Sequence, residues 1–247
     1  MKWLCFLGWL VSSTMYAQPF SILIGVSTDN PPFSIQSDGK NHFYGFEIDL
    51  MNEICNRIKV KCEYKPVIVS EITSELSSGH IDLAIAAIIR PPTPLNGFIF
   101  SVPYLPSGAK FMALKESEIN TPNDIINKTV GVRRGTLGAG HLFEDLILKK
   151  YNNTIKISEY ITTEDIFMAL TNKEVDIIFT NEAVVKYWYY NNMELYKIIG
   201  ATIPVGDGYV IMATTRYEAL VEKINQALFK IFSDGTYQRI YNTYLSF

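Results

Sequence analysis

From residue 21 onward, apolar runs alternate with amphipathic segments along the whole chain. "SILIGV" (21–26) reads as a strand, and "YGFEIDLMNEICNRI" (44–58) as a helix, because Phe46, Leu50, Ile54 and Ile58 recur four apart on one face. "VKCEYKPVIV" (60–69) returns to a strand, "SEITSELSSG" (70–79) to a short helix, and "HIDLAIAAI" (80–88) to a fully buried strand. This alternation predicts βα units around a largely parallel sheet.

The pattern then restarts. "TPNDII" (121–126) looks like a helix start, with Thr121 as cap and Pro122 at the first helical position. "TVGVRRG" (129–135) follows as a strand, then a helix after Gly138, "IKISEY" (155–160) as a strand, "TTEDIFMALTNK" (162–173) as a helix and "VDIIFT" (175–180) as a buried strand. Laying residues 71–87 over 165–181 matches Ile72 with Ile166, Leu76 with Leu170 and Asp82 with Asp176. The expectation is an α/β fold in which two lobes share one plan.

In open α/β sheets, ligands sit beyond the carboxyl ends of the strands. Here those ends are Ala86, Ala87, Ile88, Ile89 and Arg90 in one lobe and Thr180, Asn181 and Glu182 in the other. If the ends face each other, a cleft lies between them, a common place for a small molecule. Pro91, Pro92 and Pro94 stop the first run abruptly, since proline cannot donate to a sheet ladder.

Composition narrows the class. With 48% hydrophobic and 19% charged residues in 247, the chain reads as globular, and its net charge of −3, without a basic stripe, argues against nucleic acid as a partner. Residues 1–17 join a charge at Lys2, an apolar run from Trp3 to Val11 and small polar residues ending at Ala17, the features of a secretory signal cleaved after Ala17. That run is too short to span a bilayer. With Cys5 inside the leader, Cys55 and Cys62 remain, an even number for an oxidising compartment, which predicts a bridge. Two buried free thiols are the plainer alternative, and a metal site would need ligands that no His or second Cys pair supplies. No cofactor is expected.

"NPPF" (30–33), "GFEIDL" (45–50), "SSGHIDLAIAA" (77–87), "FSVPY" (100–104), "VGVRRGT" (130–136), "VDIIFTNE" (175–182) and "DGTYQRIYNTYL" (234–245) occur in an order and spacing that are specific together, though each is weak alone. Over essentially the whole mature chain this resembles the bacterial periplasmic solute-binding proteins of amino-acid ABC importers, the family 3 group that includes the lysine, arginine, ornithine and histidine binders. The resemblance implies a periplasmic-binding-protein-like type II fold and no enzymatic activity. One lobe would comprise residues 18–106 and 207–247, the other 107–206, with hinge crossings near "SGAKFMA" and "GYVIMAT". It further implies a monomer in the periplasm that binds an amino acid and meets an ABC permease at the inner membrane. Basic-amino-acid binders carry a disulfide at the spacing of "ICNRIKVKC", which supports pairing Cys55 with Cys62.

The pocket departs from that pattern. Relatives usually read "TPER" before "FSxPY", and that arginine grips the ligand's α-carboxylate; counting back from "FSVPY" puts Pro94 there, and Pro91 at the threonine. The resemblance also places Ser27 where an acid often meets the ligand's amino or side-chain cation. Asn30 and Val69 stand for aromatic walls, Ile89 for a hydroxyl, and Asn181 for the aspartate that receives the α-ammonium. An arginine-like ligand is favoured by the resemblance, while a cationic one would lose both acidic partners. Arg133, just before Thr136 at a helix start, and Arg90 are the candidates to rebuild a carboxylate site. Arg90 pointing to solvent is an equally good reading, and Arg134, next along an alternating strand, should point away.

Asp82 and Asp176 precede buried runs and read as structural, "YWYY" (187–190) as helix packing and surface, and His42, His80 and His141 as ordinary surface residues. Two other functions remain in view. One is a cyclohexadienyl-dehydratase-like enzyme of the same fold, with Glu182 as the nearest general acid. The other is a binding module repurposed for envelope protein interaction.

Overall fold

Ser21–Val26 forms β1 because Ile22, Ile24 and Val26, on one side of the strand, are wholly excluded from solvent. The computed structural model describes residues 21–37, 42–134, 142–151 and 154–247. The expected leader, Thr136 and His141 lie outside them. Asp29–Asn30 (β2), Ser34–Gln36 (β3) and Phe43–Tyr44 (β4) make a small antiparallel sheet that delivers the chain to helix α1, Phe46–Ile58. Gly45 caps that helix with φ of 131°, and a Cβ there would lie 2.4 Å from the Phe33 carbonyl oxygen, so the turn requires glycine.

Helix α1 buries two rows of side chains. Phe46, Leu50 and Ile54 form the expected one; Glu47, Met51 and Cys55 form a second beside it. Cys55 is bonded to Cys62 on β5, Lys61–Pro66, so the disulfide joins the helix to the strand that follows it.

A 3-10 turn over Val69–Glu71 leads into α2, Ile72–Ser77. The long apolar run that follows stays buried to Ile89, yet only Leu83–Ala84 (β6) is paired as a strand. Beyond it the chain leaves the ladder, and Ala87 adopts a left-handed φ of 49°. Phe98–Phe100 (β7) completes this part, and Gly108–Leu114 (β8) opens the next. Thr121 caps as expected, but what it caps is one 3-10 turn, Pro122–Ile125: Asp124 closes a capping box and Ile126 is already extended. Thr129–Arg133 (β9), Leu142–Lys150 (α3), Lys156–Tyr160 (β10), Thr163–Thr171 (α4), Ile177–Asn181 (β11), Glu182–Asn191 (α5) and Tyr196–Pro204 (β12) then follow, before Met212–Thr214 (β13), Glu218–Ser233 (α6) and Thr236–Tyr244 (α7).

The two five-stranded sheets have the same design. One runs β5-β1-β6-β13-β7, the other β10-β9-β11-β8-β12. In each, three parallel strands are followed by one that runs against them and a fifth that runs with them again. The matched aspartates explain part of the repetition. Asp82 Oδ2 accepts from the Leu23 N–H (2.8 Å), and Asp176 Oδ2 from the Thr129 N–H (2.7 Å), each pinning the amino-terminal half of the middle strand, β1 or β9, of the three parallel ones in its sheet. The chain passes between sheets twice, and the crossings touch: the Tyr209 N–H donates to the Leu105 carbonyl and the Tyr104 N–H to the Tyr209 carbonyl. In "YWYY", Trp188 stacks on Phe167 with ring centroids 4.3 Å apart, while Tyr190 is exposed.

Candidate functional site

The carboxyl ends of β1 and β9 meet at a seam between the two five-stranded sheets. Ser27 directly follows β1, Asn30 ends β2, Arg133 ends β9, and Asn181 ends β11 where α5 begins. Arg133 reaches across the seam, with Nη2 3.2 Å from Ser27 Oγ and 3.5 Å from Asp29 Oδ1. Helix α4 supplies the second link: the Thr163 N–H donates to Asp29 Oδ2 (2.8 Å) and its hydroxyl to Asn30 Oδ1 (3.3 Å). Asp29 thus sits at the first turn of α4, where free N–H groups and the helix dipole favour an anion. The Ser27 hydroxyl donates to Asp29 Oδ1 at 3.0 Å, so both carboxylate oxygens have partners.

Beneath this seam lies Glu47, wholly buried in the first turn of α1. Its Oε1 accepts from the Ala87 N–H at 2.7 Å and from the Tyr104 hydroxyl. Burial pushes the carboxyl up to about 7, against the pull of the Tyr104 hydroxyl, the Ala87 N–H and the Arg133 charge. Holding the N–H of a residue in left-handed backbone, Glu47 fixes the wall segment at the end of β6. Arg133 is pulled in two directions: burial lowers its pKa, while the charges of Asp29 and Glu47 raise it.

Four buried polar atoms around these elements have no hydrogen-bond partner among the described residues: Asn30 Nδ2, Asn181 Oδ1, Glu47 Oε2 and Tyr209 Oη. Such atoms destabilise by about 1–3 kcal/mol each when nothing meets them. As chemistry they are an amide donor, an amide acceptor, a carboxyl oxygen that accepts when ionised and donates when protonated, and a hydroxyl able to act either way. That set suits a small molecule carrying both an ammonium and a carboxylate.

The remaining sequence candidates fall into place less directly. Val69, Ala86 and Ile88 pack into one apolar cluster with Ile72, Leu76, Ile81 and Val210, so their side chains serve the core and only their backbone faces elsewhere. Arg90 is half-buried. Its N–H donates to the Gly208 carbonyl at 2.9 Å, and its guanidinium makes no hydrogen bond or ion pair with a described residue. Arg134 points away, as alternation predicts, to Glu159 at 2.7 Å. Glu182 accepts from Thr202 (2.8 Å) and Lys186 (2.9 Å); burial would raise its pKa, but these partners leave it lowered, the wrong direction for a general acid at neutral pH.

Asp29, Glu47 and Thr163 were missed in the sequence. For Glu47 a signal existed: it stands four and eight residues before Met51 and Cys55, so one helical row carries an acid among buried side chains. Asp29 and Thr163 are ordinary loop and helix-start residues by sequence, 134 positions apart. Only the folded arrangement joins them.

Residues 22–247 match the family model for bacterial extracellular solute-binding proteins, family 3. The chain is 29% identical over 97% of its length to the ABC transporter arginine-binding protein 1 of Escherichia coli K12, covering 97% of that protein. It is 26% identical to the arginine-binding periplasmic protein of Mannheimia haemolytica, covering 96% of this chain and 95% of that one. Among solved structures, an arginine 3rd transport system periplasmic binding protein from Legionella pneumophila superposes with a TM-score of 0.85 at 34% identity, over 92% of this chain and 100% of that one. The relatives are substrate-binding proteins and not enzymes, and their fold is the two-lobed type II periplasmic-binding-protein arrangement seen here. Matched across 22–247 by the family model, the chain belongs to the bacterial extracellular solute-binding proteins, family 3.

Proposed function

We propose that this chain is the periplasmic receptor of an ABC importer and takes a polar α-amino acid, or a related small carboxylate, between its lobes. The observation that carries the reading is the seam itself: Asn30 Nδ2, Asn181 Oδ1 and Glu47 Oε2, buried and without a partner among the described residues, lie on strand ends and a helix start that approach from both sheets. The lobes are residues 18–106 with 207–247, and 107–206. The leader 1–17 is removed on export, and the monomer delivers its ligand to a permease in the inner membrane. Arginine appears in the names of several relatives, which favours an arginine-like ligand. The neutral Ser27 and Asn181, where the resemblance puts acids, weigh against it.

A thermal-shift panel of amino acids and small organic acids tests the proposal. A ligand binding only the native state at 100 times its Kd adds about 2.7 kcal/mol, which for a chain of this size raises the Tm by roughly 5–10 °C. A flat response across the panel would reject the amino-acid reading.

A further inference from the structure

Two buried tyrosines, one on each crossing between the sheets, converge on Glu47. The Tyr104 hydroxyl donates to Glu47 Oε1, the oxygen that also accepts from the Ala87 N–H at 2.7 Å. Tyr209 lies against Tyr104 with ring centroids 6.4 Å apart, and the Tyr104 N–H donates to its carbonyl at 2.9 Å. The Tyr209 hydroxyl and Glu47 Oε2 are both buried without a partner among the described residues. Burial first, and then the charges of Glu47 and Glu182, push the pKa of that hydroxyl up. From the opposite lobe, the Arg133 charge faces the Glu47 carboxyl. Other elements packed on α1 direct their titratable groups elsewhere: the Tyr237 hydroxyl of α7 to the Tyr104 carbonyl, that of Tyr244 to Asp49, that of Tyr64 on β5 to Asn52, and Asp234 after α6 to Arg57. One ionisable group thus touches the wall segment at the end of β6 and the first crossing, and its charge reaches the second crossing and the facing lobe.

Resting on the amino-acid reading above, we propose that Glu47 is a positioning residue for ligand binding, acting through Ala87 and the two crossings, and that affinity rises with pH as its carboxyl ionises. The direction is set by the hydrogen bonds. A carboxylate accepts more strongly than a neutral carboxyl, so the Ala87 N–H and the Tyr104 hydroxyl are held best when Glu47 is charged, and the Arg133 charge favours the same form. A ligand seated at the strand ends selects the arrangement in which Ala87 keeps its left-handed backbone, so the bound form favours the ionised carboxyl more than the free form does. With the carboxyl at about 7 before ligand binds and lower afterwards, affinity climbs with pH up to about 7 and levels off above it. Folding stability moves the other way over that range, because burial favours the protonated acid. A merely structural Glu47 therefore predicts no gain in affinity as pH rises.

Isothermal titration of the whole protein with L-arginine, L-glutamine and L-glutamate, none of which changes charge between about pH 5.5 and 7.5, tests this in wild type and Glu47→Gln, with circular dichroism confirming that the variant is folded. Another amino acid that leads the thermal-shift panel joins the set. Wild type is expected to bind about 3- to 10-fold more tightly at about pH 7.5 than at about pH 5.5, since each unit by which binding lowers the carboxyl's pKa is worth a factor of about ten. Glu47→Gln, which keeps an acceptor but cannot ionise, is expected to bind equally at both. Wild-type heats in phosphate and in imidazole, buffers of different ionisation heat, are expected to differ in the sense of proton release. An affinity that is level or falls as pH rises, or a pH dependence unchanged in Glu47→Gln, overturns the inference while leaving the amino-acid reading standing. Binding of none of the set by folded wild type, together with a flat thermal-shift panel, overturns both. Should Glu47→Gln fail to fold, the two buffers decide: release of a proton on binding supports the inference, and equal heats overturn it.

Discussion

Glu47 shows how one side chain ties chemistry to stability. A buried carboxyl whose proton affinity is raised by folding is protonated more in the folded than in the unfolded state between its ordinary pKa of 4.5 and about 7. Its contribution is therefore fully present below about pH 4.5, declines as pH rises through that window, and is lost above about 7, a change of about 3 kcal/mol. The carboxyls held low by partners, such as Asp234 beside Arg57, act at more acid pH and in the opposite sense, so the two effects separate. Glu47→Gln keeps an oxygen to accept from Ala87 and Tyr104, and its Tm should be nearly flat between pH 5 and 7.5 where the wild type declines. Parallel Tm curves for the two proteins would contradict the assignment. The acid was visible in "GFEIDL", but its burial was not read there, because a charge in the first turn of a helix is ordinarily solvated and favourable.

At the scale of elements, the period-four row of α1 and the paired aspartates were legible because helix period and strand start are local properties of the chain. The bridge between Cys55 and Cys62 closes a loop with a sequence separation of 7. By chain entropy it stabilises by about 2 kcal/mol, so replacing both cysteines by serine should lower the unfolding free energy by that amount in a urea titration with little change in slope. An unchanged midpoint would mean that the closed loop adds nothing. Two elements were misjudged. "HIDLAIAAI" has the composition of a long buried strand, but its last residues are drawn off the ladder where the Ala87 N–H turns to Glu47, and a run's apolarity does not say which neighbour receives its N–H groups. "TPNDII" has a sound cap and only one turn behind it, since Ile126 turns extended and Asn127 takes a positive φ of 63°.

At the scale of the whole molecule, one carboxylate takes part in both of the links described across the seam. Asp29 accepts from Thr163 on the opposite lobe and stands beside Arg133, so its carboxylate serves both links across the seam. Asp29→Ala leaves the Arg133 guanidinium without its ion-pair partner and the Thr163 N–H without an acceptor, a change that weakens the contact between the two sheets. Its expected consequences are a larger radius of gyration by small-angle scattering without ligand and about 10-fold weaker ligand binding, with Asp29→Asn in between. A radius and affinity equal to wild type would show that other contacts hold the lobes.

The sequence by itself determined the alternation of strands and helices and the use of one plan twice, and it offered the strand ends as the expected place for a site and Pro94 as the position where the family's clamp is expected to be missing. All of these are periodic or positional signals within short windows. Tertiary structure alone decided that Asp29, Thr163 and Arg133 would meet, that Glu47 would lie beneath them, and that Arg133 would point to Ser27. Those contacts join residues more than 100 positions apart, such as Arg133 and Ser27, across a seam that exists only after both sheets have formed. No local pattern encodes such a meeting, since it depends on how two separately built lobes pack against each other.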